Sequence, residues 1–334
     1  MTERPPRSGP GTVLVLGLLL IAAVLVSLSL GRYPIPVAAL LSRLLGSPFD
    51  SARMEAVLVN VRLPRVIMAC LVGTALAAAG ASYQGVFQNP LAAPDILGAS
   101  SGAATGATLA ILLRLPGCLV TAFAFCTSLI TIAIVMLVGE RTRGKKVIGL
   151  ILAGLMVSSI HSAAGSFMKL IADPNNVLPE IVYWQMGSLA KIKRDDVSFV
   201  LLPMALGLVP LLVFRWRINL LTLNEEEAES MGVNVRRMRA LVIVCGTLVT
   251  AAAVSVSGVI GWAGLIIPHL SRRFVGNNYQ SLMPVSMLMG ALFLLVIDNI
   301  SRNLFATEIP LGILTSLVGA PFFLWLLTRK GEIW

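Results

Sequence analysis

The sequence predicts an all-α polytopic membrane protein of about ten transmembrane helices, and three observations carry that prediction. Of 334 residues, 57% are hydrophobic and 13% charged, about half the charged share of a soluble domain. Apolar runs recur from Thr12 to Leu327 without one dominating. The runs are continuous rather than alternating, which excludes a β-barrel. The whole chain, 1–334, reads as a single transmembrane domain.

The apolar segments fall at roughly 12–31, 57–83, 92–113, 118–138, 147–171, 197–214, 239–258, 260–275, 282–300 and 309–328. Arg4 and Arg7 precede the first, which is long enough to span and has no clear small-residue cleavage site after it. It reads as a span entering from the cytoplasm. An even number of spans returns the C-terminus to the same side. Basic clusters at Arg141–Lys146, Arg236–Arg239 and Arg272–Arg273 then all fall inside, as the positive-inside rule asks. These loops also account for the formal charge of +10, so nucleic acid is not an expected partner.

An outer segment over about 34–56 follows the first span, and Val37–Leu45 within it is amphipathic, suited to the interface. The second span opens on Arg62-Leu-Pro-Arg65, where guanidiniums are costly unless they snorkel or meet an acidic partner. It ends in Tyr83–Asp95, whose Pro90, Pro94, Asn89 and Gly85 argue against a continuous helix. Non-helical backbone at that depth must face protein or a water-filled path. Gly98–Gly106, with Gly102 and Gly106 four apart, permits close helix packing.

Gly139–Lys145 fits the start of a phosphate-binding loop, but Lys146 stands where Ser or Thr is required and no strand precedes it. No ATPase site or other catalytic residue is therefore expected in this chain. His161 is one of only two histidines; packing or hydrogen bonding is the ordinary role of such a residue, and lining a pathway is the alternative. An outer short helix is predicted over about 178–190. Its Tyr183, Trp184 and Met186 are interface anchors or pathway-lining residues. The four cysteines lack metal-ligand or CxxC spacing, so buried inert thiols are expected, and no metal site.

The most charged stretch is 220–239, in which Glu225, Glu226, Glu227 and Glu229 precede Gly232 and then Arg236, Arg237 and Arg239. Leu221, Leu223, Ala228 and Met231 give it a broken apolar stripe. Two short helices with Gly232 at their joint, lying on the membrane surface, fit this pattern; a solvated loop is the alternative. Pro268 should bend or interrupt the short eighth segment. Asp298 and Arg302 stand four residues apart, where they can pair on one helix face.

Several stretches together resemble the FecCD family of ABC-importer permeases. They are Arg62–Arg65, Gln88–Gly98, Tyr183–Leu189, Asn224–Val233, Gly264–His269, Ile309–Ile313 and Gly319–Pro321, in the family's order along nearly the whole chain. The resemblance implies a type II importer architecture in a bacterial or archaeal cytoplasmic membrane, with both termini cytoplasmic. Its implied partners are a second permease copy, a cytoplasmic ABC ATPase dimer holding ATP and magnesium, an extracytoplasmic binding protein and membrane lipid. No cofactor is implied for this chain itself.

The resemblance makes Leu223, Glu225, Glu226, Glu227, Ala228, Met231, Gly232 and Val233 an ATPase-docking surface, and places Asn89 and Leu91 at a cytoplasmic gate. It also gives Arg62, Arg65 and Arg302 a common role in docking carboxylates on the binding protein. The implied cargo is a bulky metal chelate, with iron–siderophore favoured by frequency in the family and cobalamin, haem and molybdate or tungstate open. An ion-coupled secondary transporter is the rival reading. It would need titrating carboxylates at membrane depth, where only Asp95 and Asp298 stand.

Overall fold

A computed structural model describes residues 9–31, 33–45, 51–142, 146–223 and 225–328. Arg4, Arg7, Asn224, Arg143 and Lys145 lie outside the described residues, as do Arg329 and Lys330.

The described chain is helical throughout, in the order α1 (Gly9–Ser29), α2 (Val37–Leu44), α3 (Ala52–Val57), α4 (Leu63–Val86), α5 (Ala99–Leu112), α6 (Gly117–Arg141), α7 (Lys146–Ile171), α8 (Val177–Gln185), α9 (Arg194–Val213), α10 (Arg215–Leu220), α11 (Glu225–Ser230), α12 (Val235–Ser257), α13 (Ala263–Val275), α14 (Tyr279–Asn303) and α15 (Leu311–Thr328). Each of the ten predicted apolar segments carries one of the longer helices. Among the described residues, seven stretches are long and apolar enough to cross a membrane, with α5 and α15 as shorter apolar helices. The short α13 completes the set.

Helix α4 is the centre of the bundle, packed against α12, α13 and α14. Its sequence explains this, because small residues let neighbouring backbones approach. A methyl carbon at Gly73 would lie 2.2 Å from the Gly290 carbonyl oxygen, and one at Gly80 only 1.8 Å from that of Gly264. The predicted close packing at Gly102 and Gly106 is also present. There a methyl carbon would meet Thr131 Oγ1 at 2.2 Å and Thr127 Oγ1 at 2.0 Å on α6.

Two prolines act differently from one another. Pro64 offers no N–H to the Asn60 carbonyl, and the backbone absorbs this in a π turn over Leu58–Arg62 that joins α3 to α4. Helix α3 thereby extends the second span back to Ala52, ten residues before Arg62. Of the two effects expected of Pro268, interruption does not occur, since α13 runs through it from Ala263 to Val275. The carbonyl it leaves unbonded in the α ladder is Gly264's, the same one that lies against Gly80. The interface between α13 and α4 uses the gap that proline creates.

The predicted break after the second span is real. Helix α4 ends at Val86, Gln88 has φ 48°, Pro94–Leu97 form a 3₁₀ turn, and Gly98 at φ 79° starts α5.

Candidate functional site

The charged stretch folds as one short helix, α11, followed by Gly232 and then the first turn of the long α12. This corrects the expectation of two short helices. Asn234 caps α12 by accepting from the Arg237 N–H at 2.9 Å, so the arginines open a span rather than a second surface helix. Gly232 does stand at the joint, with φ 80°, a conformation that costs a glycine little. Ala228 and Val233 are buried beneath the stretch, while Leu223, Glu225, Glu226, Glu227 and Met231 are exposed. Arg239 pins α11 to α12 through Glu225 at 3.1 Å.

The break is joined to this surface directly. Gln88 Nε2 donates to the carbonyls of Leu221 and Leu223 at 3.0 and 3.1 Å. Asn89 Oδ1 accepts from the Leu91 N–H at 2.9 Å, folding the segment into a local turn with Leu91 exposed. One side chain, that of Gln88, therefore ties the residues that precede α11 to the turn at Asn89 and Leu91. The sequence reading missed Gln88, although it lay in the quoted motif.

The three arginines converge at the opposite end of the bundle, and all three are buried there. Arg65 meets Asp298 at 2.9 Å and Glu308 at 2.9 Å. Arg302 Nη2 donates to the carbonyl of Ser27 at 2.8 Å, and its Nε lies 3.6 Å from Asp298, the predicted pair four residues apart. Arg62 donates to the carbonyls of Leu28, Ser29 and Tyr33. Two guanidiniums therefore satisfy the last carbonyls of α1, which have no partner within their own helix. Each guanidinium is taken up by partners inside the chain, and Arg65 meets the acidic partner that a cation at a membrane entrance requires. Glu308 is the partly exposed member of the cluster.

A third polar site lies between α5, α7 and α8. It is an open cleft of about 280 Å³, lined among others by Asp95, Ser101, Thr105, His161, Lys169 and Gln185. His161 bridges Thr105 and Thr131 at 3.0 and 2.8 Å, so it is both hydrogen-bonded and cleft-lining. Gln185 accepts from Lys169 Nζ at 3.4 Å and donates to Thr108 Oγ1 at 3.1 Å. Asp95 accepts from the Ser100 N–H at 3.2 Å.

Tyr183, Trp184 and Met186 do not line this cleft; Gln185, in the middle of that run, does. Their segment is instead a backbone junction: Gly312 N–H donates to the Met186 carbonyl at 3.0 Å, and Leu311 N–H to that of Gly187 at 2.8 Å. Among the described residues no group of His, Cys, Asp and Glu could hold a metal ion.

The FecCD transport family model matches residues 19–329. The chain is 41% identical to the molybdate import system permease protein MolB of Haemophilus influenzae, over 95% of each chain. It is also 41% identical to a probable iron chelatin transport system permease protein of Helicobacter pylori, over 84% of this chain and 85% of that one. Among solved structures, a chain described as an inward-facing conformation of a putative metal-chelate type ABC transporter aligns with TM-score 0.87 and 40% identity. That alignment covers 95% of this chain and 99% of the other.

Proposed function

This chain belongs to the FecCD transport family, and from that premise we propose that it is the membrane subunit of an ATP-driven importer carrying an iron chelate of the siderophore type. The observation that carries the reading is the link from Leu221 and Leu223, immediately before the exposed α11 surface, through Gln88 to the broken backbone at 87–98. A separate ATPase dimer, holding ATP and magnesium, presses on α11. Gln88 hands the movement to the turn at Asn89 and Leu91, which opens or closes the path. Such a machine biases a two-state equilibrium through differential contact, and the chain itself needs no catalytic group.

In this reading α11 and both termini face the cytoplasm, and the arginine cluster lies under the face that receives an extracytoplasmic binding protein. The path is completed by a second copy of the chain. If so, Asn89→Cys chains crosslink across the pair in at least one nucleotide state. Absence of a crosslinked band in every state would remove the two-fold gate.

The cargo has a second reading, molybdate, favoured by the 41% identity to a molybdate permease over 95% of each chain. Vesicles containing the permease, its ATPase and its binding protein separate the two when offered radiolabelled ferric siderophore or molybdate. The importer reading expects uptake that requires ATP. Gly232→Pro in the same vesicles should leave ATP hydrolysis but abolish uptake, because proline cannot adopt φ 80° and the joint must reshape. Uptake without ATP would return the secondary transporter. Unchanged uptake by Gly232→Pro would remove the docking role.

A further inference from the structure

The cleft between α5, α7 and α8 is polar in a protein whose spans are otherwise apolar, and its charges are ordered. On α7, His161, Ser162, Gly165 and Lys169 recur at helical spacing along one face, and all four line it. Ser101, Ala104 and Thr105 of α5 form the facing wall. Lys169 lies in the last turn of α7, about two turns from Ser162, or roughly 10 Å along the axis. Asp95 belongs to the other end, beside Ser100 at the start of α5.

Intramembrane cations normally pair with carboxylates. Arg65 and Arg302 do so, with Asp298. Lys169 is held by a neutral amide, Gln185, whose own N–H₂ is fixed by Thr108. An ammonium oriented by a neutral partner at the rim of a water-sized path keeps its attraction for an anion. Hydroxyls at Ser101, Ser162 and Thr105 can then donate to, or accept from, an oxygen-rich guest.

We propose that this cleft is a binding station for an oxygen-rich anion, such as the carboxylate or catecholate face of a ferric chelate or an oxyanion, with Lys169 as its selecting charge. The station rests on the importer reading and narrows its cargo to anionic, oxygen-ligated species. The field at Lys169 should concentrate anions over cations near Ser162, by the focusing that charged clefts with low-dielectric walls produce.

The test uses the purified full-length permease and no cargo. Ser162→Cys is labelled with the anionic sulfonatoethyl and the cationic trimethylammonium-ethyl methanethiosulfonates. Each rate is divided by that reagent's rate with 2-mercaptoethanol, and the parent protein, with its native cysteines, is the background. Because any effect of Lys169 on thiol ionisation enters both rates equally, their ratio reports the local field alone.

The expected anion-to-cation ratio is about fivefold or more, retained in Lys169→Arg and falling to about one in Lys169→Gln. A ratio at or below one with Lys169 present, a ratio unmoved by Lys169→Gln, or no reaction with either reagent overturns the station. Ala104→Cys, on the facing wall, serves if Ser162→Cys does not purify. Failure of the cargo reading shows separately, as vesicles that take up neither ferric siderophore nor molybdate whatever the labelling ratio.

Discussion

Asp298→Ala is expected to destabilise the protein by about 3–5 kcal/mol, the range for removing one partner of a buried ion pair. Asp298 is fully buried between Arg65 and Arg302, both of which are themselves buried. Its loss leaves Arg302 with neutral oxygens only, and Arg65 with Glu308 alone. Because Arg302 also holds the Ser27 carbonyl, the end of α1 should loosen from α14 at the same time.

The measurement is thermal unfolding of the purified protein in detergent, with protease cleavage near Ser29 as a local readout. Glu308→Gln is the matched control. Glu308 is partly exposed and Arg65 keeps Asp298, so a cost of about 1 kcal/mol or less is expected. Equal midpoints for Asp298→Ala and wild type would mean the cluster is not an ionic brace.

Gly80→Val should prevent α4, α13 and α14 from assembling at all. Overpacking ordinarily costs about 1–3 kcal/mol, because side chains shift to make room. Here the first added carbon would sit 1.8 Å from a backbone oxygen, that of Gly264, which has no rotamer to change. Gly264 in turn abuts the ring of Pro94 and the Leu76 carbonyl, so displacing it disturbs the 3₁₀ turn of the break as well. The result should be loss of the monodisperse species on size exclusion, with expression retained. Gly17→Val is the comparison, since a methyl carbon there meets nothing within 4 Å. A Gly80→Val protein that elutes and melts like Gly17→Val would refute the backbone contact.

The same contacts form a continuous path from the middle of α4 to the break. Gly80, Gly264 and Pro94 connect the middle of α4 to the break, and Gln88 connects the break to Leu221 and Leu223, just before α11. Between them lies Gln84, which accepts from Arg272 of α13. A push on α11 therefore meets close-packed backbone rather than yielding side chains, and interiors of that kind transmit displacement instead of absorbing it.

By itself the sequence determined the helical class, the ten apolar segments, the break between Val86 and Ala99, the glycine face of α5, and the pairing of Asp298 with Arg302. All of these are local. Hydrophobic periodicity, proline and glycine chemistry, and a separation of four residues act within a few turns of the chain, so they are written in neighbouring letters.

Only the tertiary structure decided where the arginines point. Arg62 is taken by carbonyls at the end of α1, and a helix C-terminus bears no side-chain signature that names its donor. Arg65 finds Glu308 from 243 positions away. Lys169 had the ordinary look of a basic residue in a last helical turn, and Gln185 was hidden in an aromatic run. They became a site because α5, α7 and α8 bring them to one cleft with Asp95 and His161. Partners so far apart are chosen by the packing of whole helices, and that choice depends on all the faces at once.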